Sequence, residues 1–177
     1  MDRSKLKKLL SRNDKCIEDL LGKMYENMLL SVFETICLEM KDNSVRKAVL
    51  SNIRKASHPE LYVQRLAFEM SCCDLSNDEC NKLLGWLVAY FRKSGIRKKY
   101  PKSVRDGLLI QQDFKCNICG KDIGTNKSEL DHIIPWDYVG DEIADNLQLL
   151  CCNCNERKGK SIYFQLNMYL INHKRAQ

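Results

Sequence analysis

Two short cysteine pairs constrain this chain more than any other feature in it. Cys116-x-x-Cys119 and Cys151-x-x-Cys154 stand 31 residues apart. A C-x-x-C turn places two sulfurs on one side of a metal ion, and two such turns close a tetrahedral shell of thiolates around zinc. A shell of four protein ligands leaves no position for a substrate, so the pattern predicts a structural zinc site. Gly120, directly after the first pair, suits the tight turn. Cys152 adjoins the second pair, but Cys151 has the two-residue spacing to Cys154 and is the expected ligand. A redox pair would open a helix after a strand in a βαβ pattern, which neither pair does. Cys16, Cys37, Cys72, Cys73 and Cys80 are expected as small apolar core residues.

The rest of the composition narrows the setting. With 177 residues the chain is one moderate domain or two small ones. No window has the roughly 18 uncharged apolar residues of a spanning helix. The N-terminal MDRSKLKKLLSRNDK has neither an apolar core nor a small-residue cleavage site, so we expect a cytoplasmic protein. In a reducing compartment, ten cysteines favour metal ligation over disulfides. The net charge of +6 is uneven: residues 1–100 carry 19 Lys/Arg against 13 Asp/Glu, and residues 101–177 carry ten of each. Residues 92–105 hold seven basic side chains and no acidic one. Such a run suits a polyanion such as nucleic acid, and charge alone fits a solvated linker equally well.

Residues 1–95 read as a helical domain, and residues 96–177 as a second unit with the basic linker at its start. Apolar residues at Ile17, Leu20, Leu21, Met24, Met28, Val32 and Ile36 mark one face of a helix over 16–40. A shorter helix is expected over 45–55. Ser57 with Glu60, and Ser76 with Glu79, have capping-box spacing and predict two more helix starts. Their apolar stripes are Leu61, Leu66, Phe68 and Met70 in one, and Leu83, Leu84, Leu87 and Phe91 in the other. His58 is expected in a first helical turn, His173 as a bland tail residue, and Trp86, Tyr90 and Phe91 as core. A helix over 102–112, a strand around 130–134, a second apolar segment at 146–150 and a helix from Cys152 complete the chain. The class is therefore α+β.

Between the cysteine pairs lie residues that a plain structural strand would rarely choose. Asp131 and His132 are poor β formers beside an apolar Ile133-Ile134-Pro135. Asn146 opens the second apolar segment, and Asn155 follows the last expected zinc ligand. A histidine with an ordinary pKa near 6.5 can deprotonate water at neutral pH. The oxygens of Asp131 and Asn155 are hard donors for Mg²⁺ or Mn²⁺. Together these are the parts for phosphodiester hydrolysis. Adjacent strand residues point to opposite faces, so Asp131 and His132 can share a site only at a strand end or a distortion. Arg97, Lys98, Lys99 and Lys102 from the linker, with Arg157, Lys158 and Lys160, are the expected DNA contacts.

The order Cys116-x-x-Cys119, DHIIP, NLQLLC and CNERKG resembles the HNH endonuclease family, over about residues 100–165. The resemblance implies a zinc-stabilised ββα-metal finger following the helical domain. It implies His132 as general base, Asp131 and Asn155 as ligands of the catalytic ion, and Asn146 as the residue that holds the finger and orients the histidine. It implies hydrolysis of DNA leaving 5′-phosphate and 3′-hydroxyl ends. Small proteins of this kind with an extra domain resemble restriction or phage-defence nucleases and also mobile-element nucleases, and residues 1–95 do not choose between them. The loop after DHIIP departs from the family in carrying Val139-Gly140 and four acidic residues, Asp137, Asp141, Glu142 and Asp145. Residues 1–95 lie outside the resemblance and could recognise DNA, form a homodimer or dock a partner protein. A non-catalytic zinc ribbon binding nucleic acid or protein would need the cysteines but not Asp131, His132 or Asn155.

Overall fold

The computed structural model describes residues 15–124 and 127–164. Among the described residues four helices come first: α1 (Lys15–Glu39), α2 (Asn43–Lys55), α3 (Pro59–Ser71) and α4 (Asn77–Arg92). Helix α5 (Lys102–Gln111) leads into the cysteine region. There β1 (Ser128–His132), a single turn α6 (Trp136–Val139), β2 (Leu147–Cys151) and α7 (Cys152–Lys158) follow. The architecture is thus α+β, a helical N-terminal region followed by a small ββα unit. No helix among the described residues is long and apolar enough to cross a membrane.

Helix α4 starts as its sequence predicts. The Glu79 carboxylate accepts from the Ser76 backbone N–H at 2.8 Å, which satisfies an amide the helix cannot reach. Helix α3 departs from expectation. Pro59 occupies its first position, which makes His58 the N-cap and leaves Ser57 one place outside. Glu60 then meets His58 Nδ1 at 3.1 Å. The buried stripe of α3 is Val63, Leu66 and Ala67, while Leu61 and Phe68 are exposed. Both sets have helical spacing, and it is the face with Val63 and Ala67 that packs. Cys37 and Cys80 are buried as expected, but Cys72 is exposed at a left-handed C-cap with φ 54°. The side chains of Cys16, Ile17 and Leu20, and all of His173, lie outside the described residues.

Two hydrophobic clusters organise the described residues. The larger holds Phe33 and Ile36 of α1, Val63 of α3, and Leu83, Trp86 and Leu87 of α4, together with Ile134, Val139 and Ile162. Phe33 stands edge-on to Trp86 at 5.6 Å, so Trp86 is core, and the Phe33 ring also lies 6.0 Å from the Tyr138 ring. The hydroxyls of Tyr138 and Tyr163 both donate to the Glu34 carboxylate. The smaller cluster surrounds the cysteines: Leu109, Cys116, Ile123, Leu149, Leu150 and Cys154. Gly140 marks one close approach. It has φ +60°, and a Cβ there would lie 2.9 Å from the Lys93 Cβ at the end of α4.

β1 and β2 pair antiparallel, with Asp131 opposite Gln148 and His132 opposite Leu147. β1 ends two residues earlier than its sequence suggests, and Asn146 is the reason. Its side-chain oxygen accepts from Ile134 N at 2.7 Å and its amide donates to Ile134 O at 2.8 Å. Both backbone groups of Ile134 are thereby withdrawn from the ladder, and Pro135 has no N–H to continue it. The chain turns at that point, so His132 is the last residue of the strand.

Candidate functional site

The four sulfurs of Cys116, Cys119, Cys151 and Cys154 lie within 4.8 Å of one another. Zinc–thiolate bonds of about 2.3 Å in a tetrahedron place sulfurs about 3.8 Å apart. The Cys119 and Cys151 sulfurs are separated by 3.9 Å, which fits. Burial works against charge on Cys116, but the backbone amides of Cys119, Cys151 and Ile118 outweigh it and bring its thiol down to about 7. Burial and the neighbouring sulfurs of Cys119 and Cys151 push Cys154 the other way. One thiolate is welcome in this shell and four are not, unless a divalent cation offsets them. Cys152 is exposed and turned to Glu156, outside the quartet. Gly120, with φ +68°, closes the first turn.

Beside the quartet, Asp131, His132 and Asn155 line one cleft, with Leu130, Pro135, Trp136 and Asp137. The end of β1 at His132 is what brings neighbouring strand residues to the same opening. Each of the three polar side chains has a fixed partner. Asp131 Oδ2 receives Lys158 Nζ at 2.9 Å and Gln148 Nε2 at 2.9 Å. Both donors fall on Oδ2, so Oδ1 is the oxygen that can face a cation. Gln148 is itself held by Asn117 of the first cysteine turn, whose amide donates to Gln148 Oε1 at 2.8 Å. The carboxylate is thus positioned from the knuckle. Asn155 donates its Nδ2 to Glu129, which leaves its carbonyl oxygen as the atom that could hold an ion. Asp131 and Asn155 together offer two hard oxygens on one cleft, a donor set suited to Mg²⁺ or Mn²⁺ with water completing the shell.

His132 Nε2 lies 3.0 Å from Asp141 Oδ1. Asp141 also accepts from the Tyr100 hydroxyl at 2.7 Å, the Trp136 indole at 2.8 Å and the Lys98 backbone N–H at 2.9 Å. Burial raises its pKa, but these donors outweigh that and hold the carboxyl far below the usual range. Burial and the bond to Asp141 push the Tyr100 hydroxyl up to about 12.

The family model described as HNH endonuclease matches residues 116–161. A probable HNH endonuclease of Lactococcus phage SK1 is 40% identical over 74 residues, covering 38% of this chain and 78% of the relative. The chain belongs to the HNH endonuclease family. No solved structure matches it.

Within this HNH site the expected residues divide by location. His132, Asp131 and Asn155 come together, while Asn146 stays behind them, buried and spent on Ile134. Arg97 lines the cleft with its guanidinium over the Trp136 ring at 5.2 Å. Lys160 also lines it and pairs with Asp137 at 2.5 Å, holding that carboxyl below the usual range. Lys99 and Lys102 are exposed on the basic segment, and Arg157 is exposed with its guanidinium 5.8 Å from the Phe164 ring. Lys98 turns its ammonium to Asp141 O at 3.0 Å. Lys158, expected on a DNA-facing surface, is buried, with its ammonium on Asp131 and on His132 O at 2.7 Å. It acts on the two cleft residues from within. The sequence reading missed Gln148, Glu129, Tyr100 and the use of Asp141. Only Asp141 gave any signal, as part of the acidic loop. Two of that loop's four charges prove to be engaged, by Lys160 and by the donors around Asp141.

Proposed function

We propose that this HNH protein hydrolyses phosphodiester bonds of DNA with a bound Mg²⁺ or Mn²⁺. The observation that carries this is the convergence of Asp131, His132 and Asn155 on one cleft beside the cysteine quartet. His132 takes a proton from a water aligned with the scissile phosphorus. The water oxygen bonds to phosphorus as the bond to the 3′ oxygen breaks, which leaves a 5′-phosphate and a 3′-hydroxyl. A divalent ion on Asp131 and Asn155 would offset charge on the phosphate and on the departing oxygen. Arg97 lies where a backbone phosphate enters the cleft, and Lys99 and Lys102 extend that charge along the linker. The quartet holds zinc and carries the Asn117–Gln148–Asp131 connection.

Residues 96–177 form the nuclease unit in this reading. The helices of residues 1–95 recognise DNA, pair two copies or dock a partner protein. One such site cuts one strand, so a double-strand break needs pairing or successive nicks. Restriction or phage defence suits such an enzyme, and the phage relative suits a role on the opposing side. The neighbouring genes are the observation that assigns it.

Relaxation of supercoiled plasmid in Mg²⁺ or Mn²⁺ tests the reaction. Wild type nicks, and His132→Ala loses about 10²–10⁴-fold in rate while still binding DNA. If both proteins bind DNA equally and neither nicks with any divalent ion, the chain is a zinc-ribbon binding module instead.

A further inference from the structure

The family resemblance gives the orienting of the histidine to Asn146, but the Asn146 carboxamide bonds through both its oxygen and its amide to the backbone of Ile134. The side chain that meets the imidazole is Asp141, nine residues along the chain. We propose that Asp141 is the positioning residue for His132, that it fixes the ring as the Nε2–H tautomer, and that it ties the basic segment at residues 98–100 to that ring. The inference deepens the nuclease reading and takes the role of His132 from it.

Asp141 Oδ2 takes two groups that can only donate, the Lys98 backbone N–H and the Trp136 indole N–H. Oδ1 takes the Tyr100 hydroxyl and His132 Nε2. Four donors around one buried carboxylate match its four lone-pair positions, and an ionised carboxylate can only accept. The hydrogen between Asp141 and the ring therefore sits on Nε2. In a neutral imidazole this leaves the lone pair on Nδ1, which becomes the atom that takes the water proton. The imidazolium formed in that step stays in contact with the negative charge of Asp141.

The same carboxylate anchors the linker. Lys98 binds residue 141 twice, through its backbone N–H to Oδ2 and through its ammonium to the backbone oxygen at 3.0 Å. Tyr100 adds a third bond, and its ring centroid stands 6.4 Å from that of His132. Arg97, which lines the cleft, is thus one residue from the clamp.

Two measurements on the full-length, zinc-loaded chain test this. The first is the imidazole ¹⁵N spectrum of histidine-labelled protein, at a pH where the rings are neutral. The chain has three histidines, so His132→Gln assigns the signal of interest. Wild type is expected to show His132 as the Nε2–H tautomer. An Nδ1–H ring, or an averaged pair of tautomers, overturns the proposal whether or not the protein cuts DNA. The second is steady-state nicking by Asp141→Asn, which keeps the shape and removes the charge. The expected result is a fall in kcat of at least about tenfold, with a rise in KM as well, because the carboxamide NH2 cannot accept from two of the four donors and loosens the linker that carries Arg97. An unchanged kcat in a folded Asp141→Asn protein overturns it. If that variant does not fold, the wild-type tautomer decides. An inactive wild type with an Nε2–H His132 removes the nuclease reading and leaves the positioning intact.

Discussion

Replacing Asn146 by alanine isolates the clamp that ends β1. The side chain is buried and makes two hydrogen bonds to Ile134, at 2.7 Å to its N–H and 2.8 Å to its carbonyl. Alanine removes both partners and leaves two backbone groups stranded beside a buried Ile134. Each stranded group costs about 1–3 kcal/mol, so the variant should lose about 2–6 kcal/mol of stability. For a chain of this size a loss of about 3 kcal/mol lowers Tm by about 6–12 °C. Urea titration followed by circular dichroism, with zinc in excess, gives the stability difference directly. Hydrogen exchange adds a local signature, because the amides of Ile133 and Ile134 should lose protection first. Asn146→Asp is the sharper control. It keeps an acceptor for the Ile134 N–H but sets a carboxylate oxygen against the Ile134 carbonyl, so it should be no more stable than the alanine variant. An Asn146→Ala protein within about 0.5 kcal/mol of wild type, yet inactive, would refute the clamp and place Asn146 at the chemistry itself.

Lys158→Met should leave DNA affinity almost unchanged, because the ammonium is buried against Asp131 and His132. Removing one partner of a buried pair costs about 3–5 kcal/mol, reduced here because Gln148 still donates to Asp131. Nicking and its Mg²⁺ dependence should suffer, and a fall in DNA affinity with normal nicking would contradict that assignment. Cys151→Ser should lose zinc by atomic absorption and loosen the Leu109, Leu149 and Leu150 cluster. Cys152→Ser should change neither, since Cys152 stands outside the quartet.

Much of this site was legible because its chemistry is local in sequence. The cysteine spacings name the metal shell without any three-dimensional knowledge, and the four sulfurs do converge. Asp131 and His132 stood out because strands seldom choose them, and Asn155 because it adjoins a ligand. The order of helices followed from spacing and from the Glu79 cap. What failed depends on which of two compatible faces packs. Leu61 and Phe68 have the same period as Val63, Leu66 and Ala67, and only the neighbouring helices choose between them. Lys158 shows the limit for charges. A lysine beside Arg157 and near Lys160 reads as one more solvated cation, yet it is two residues from an exposed lysine and is itself buried. Asp141 could be seen in an acidic loop, but its donors come from residues 98, 100, 132 and 136, which no local pattern links.

The larger hydrophobic cluster bears on how such a nuclease can be moved between proteins. Ile134, Val139 and Ile162 come from the cysteine-bearing half but are buried with Phe33, Trp86 and Leu87 of the helices. A fragment starting at residue 96 would carry those three side chains into water, directly behind the turn that follows His132. Val139 and Ile134 flank the loop that carries Asp137 and precedes Asp141, so the wall of the cleft would lose its backing first. The proposed nuclease unit is therefore poorly suited to transplantation as a bare cassette. A host protein would have to supply an apolar roof in place of the helices.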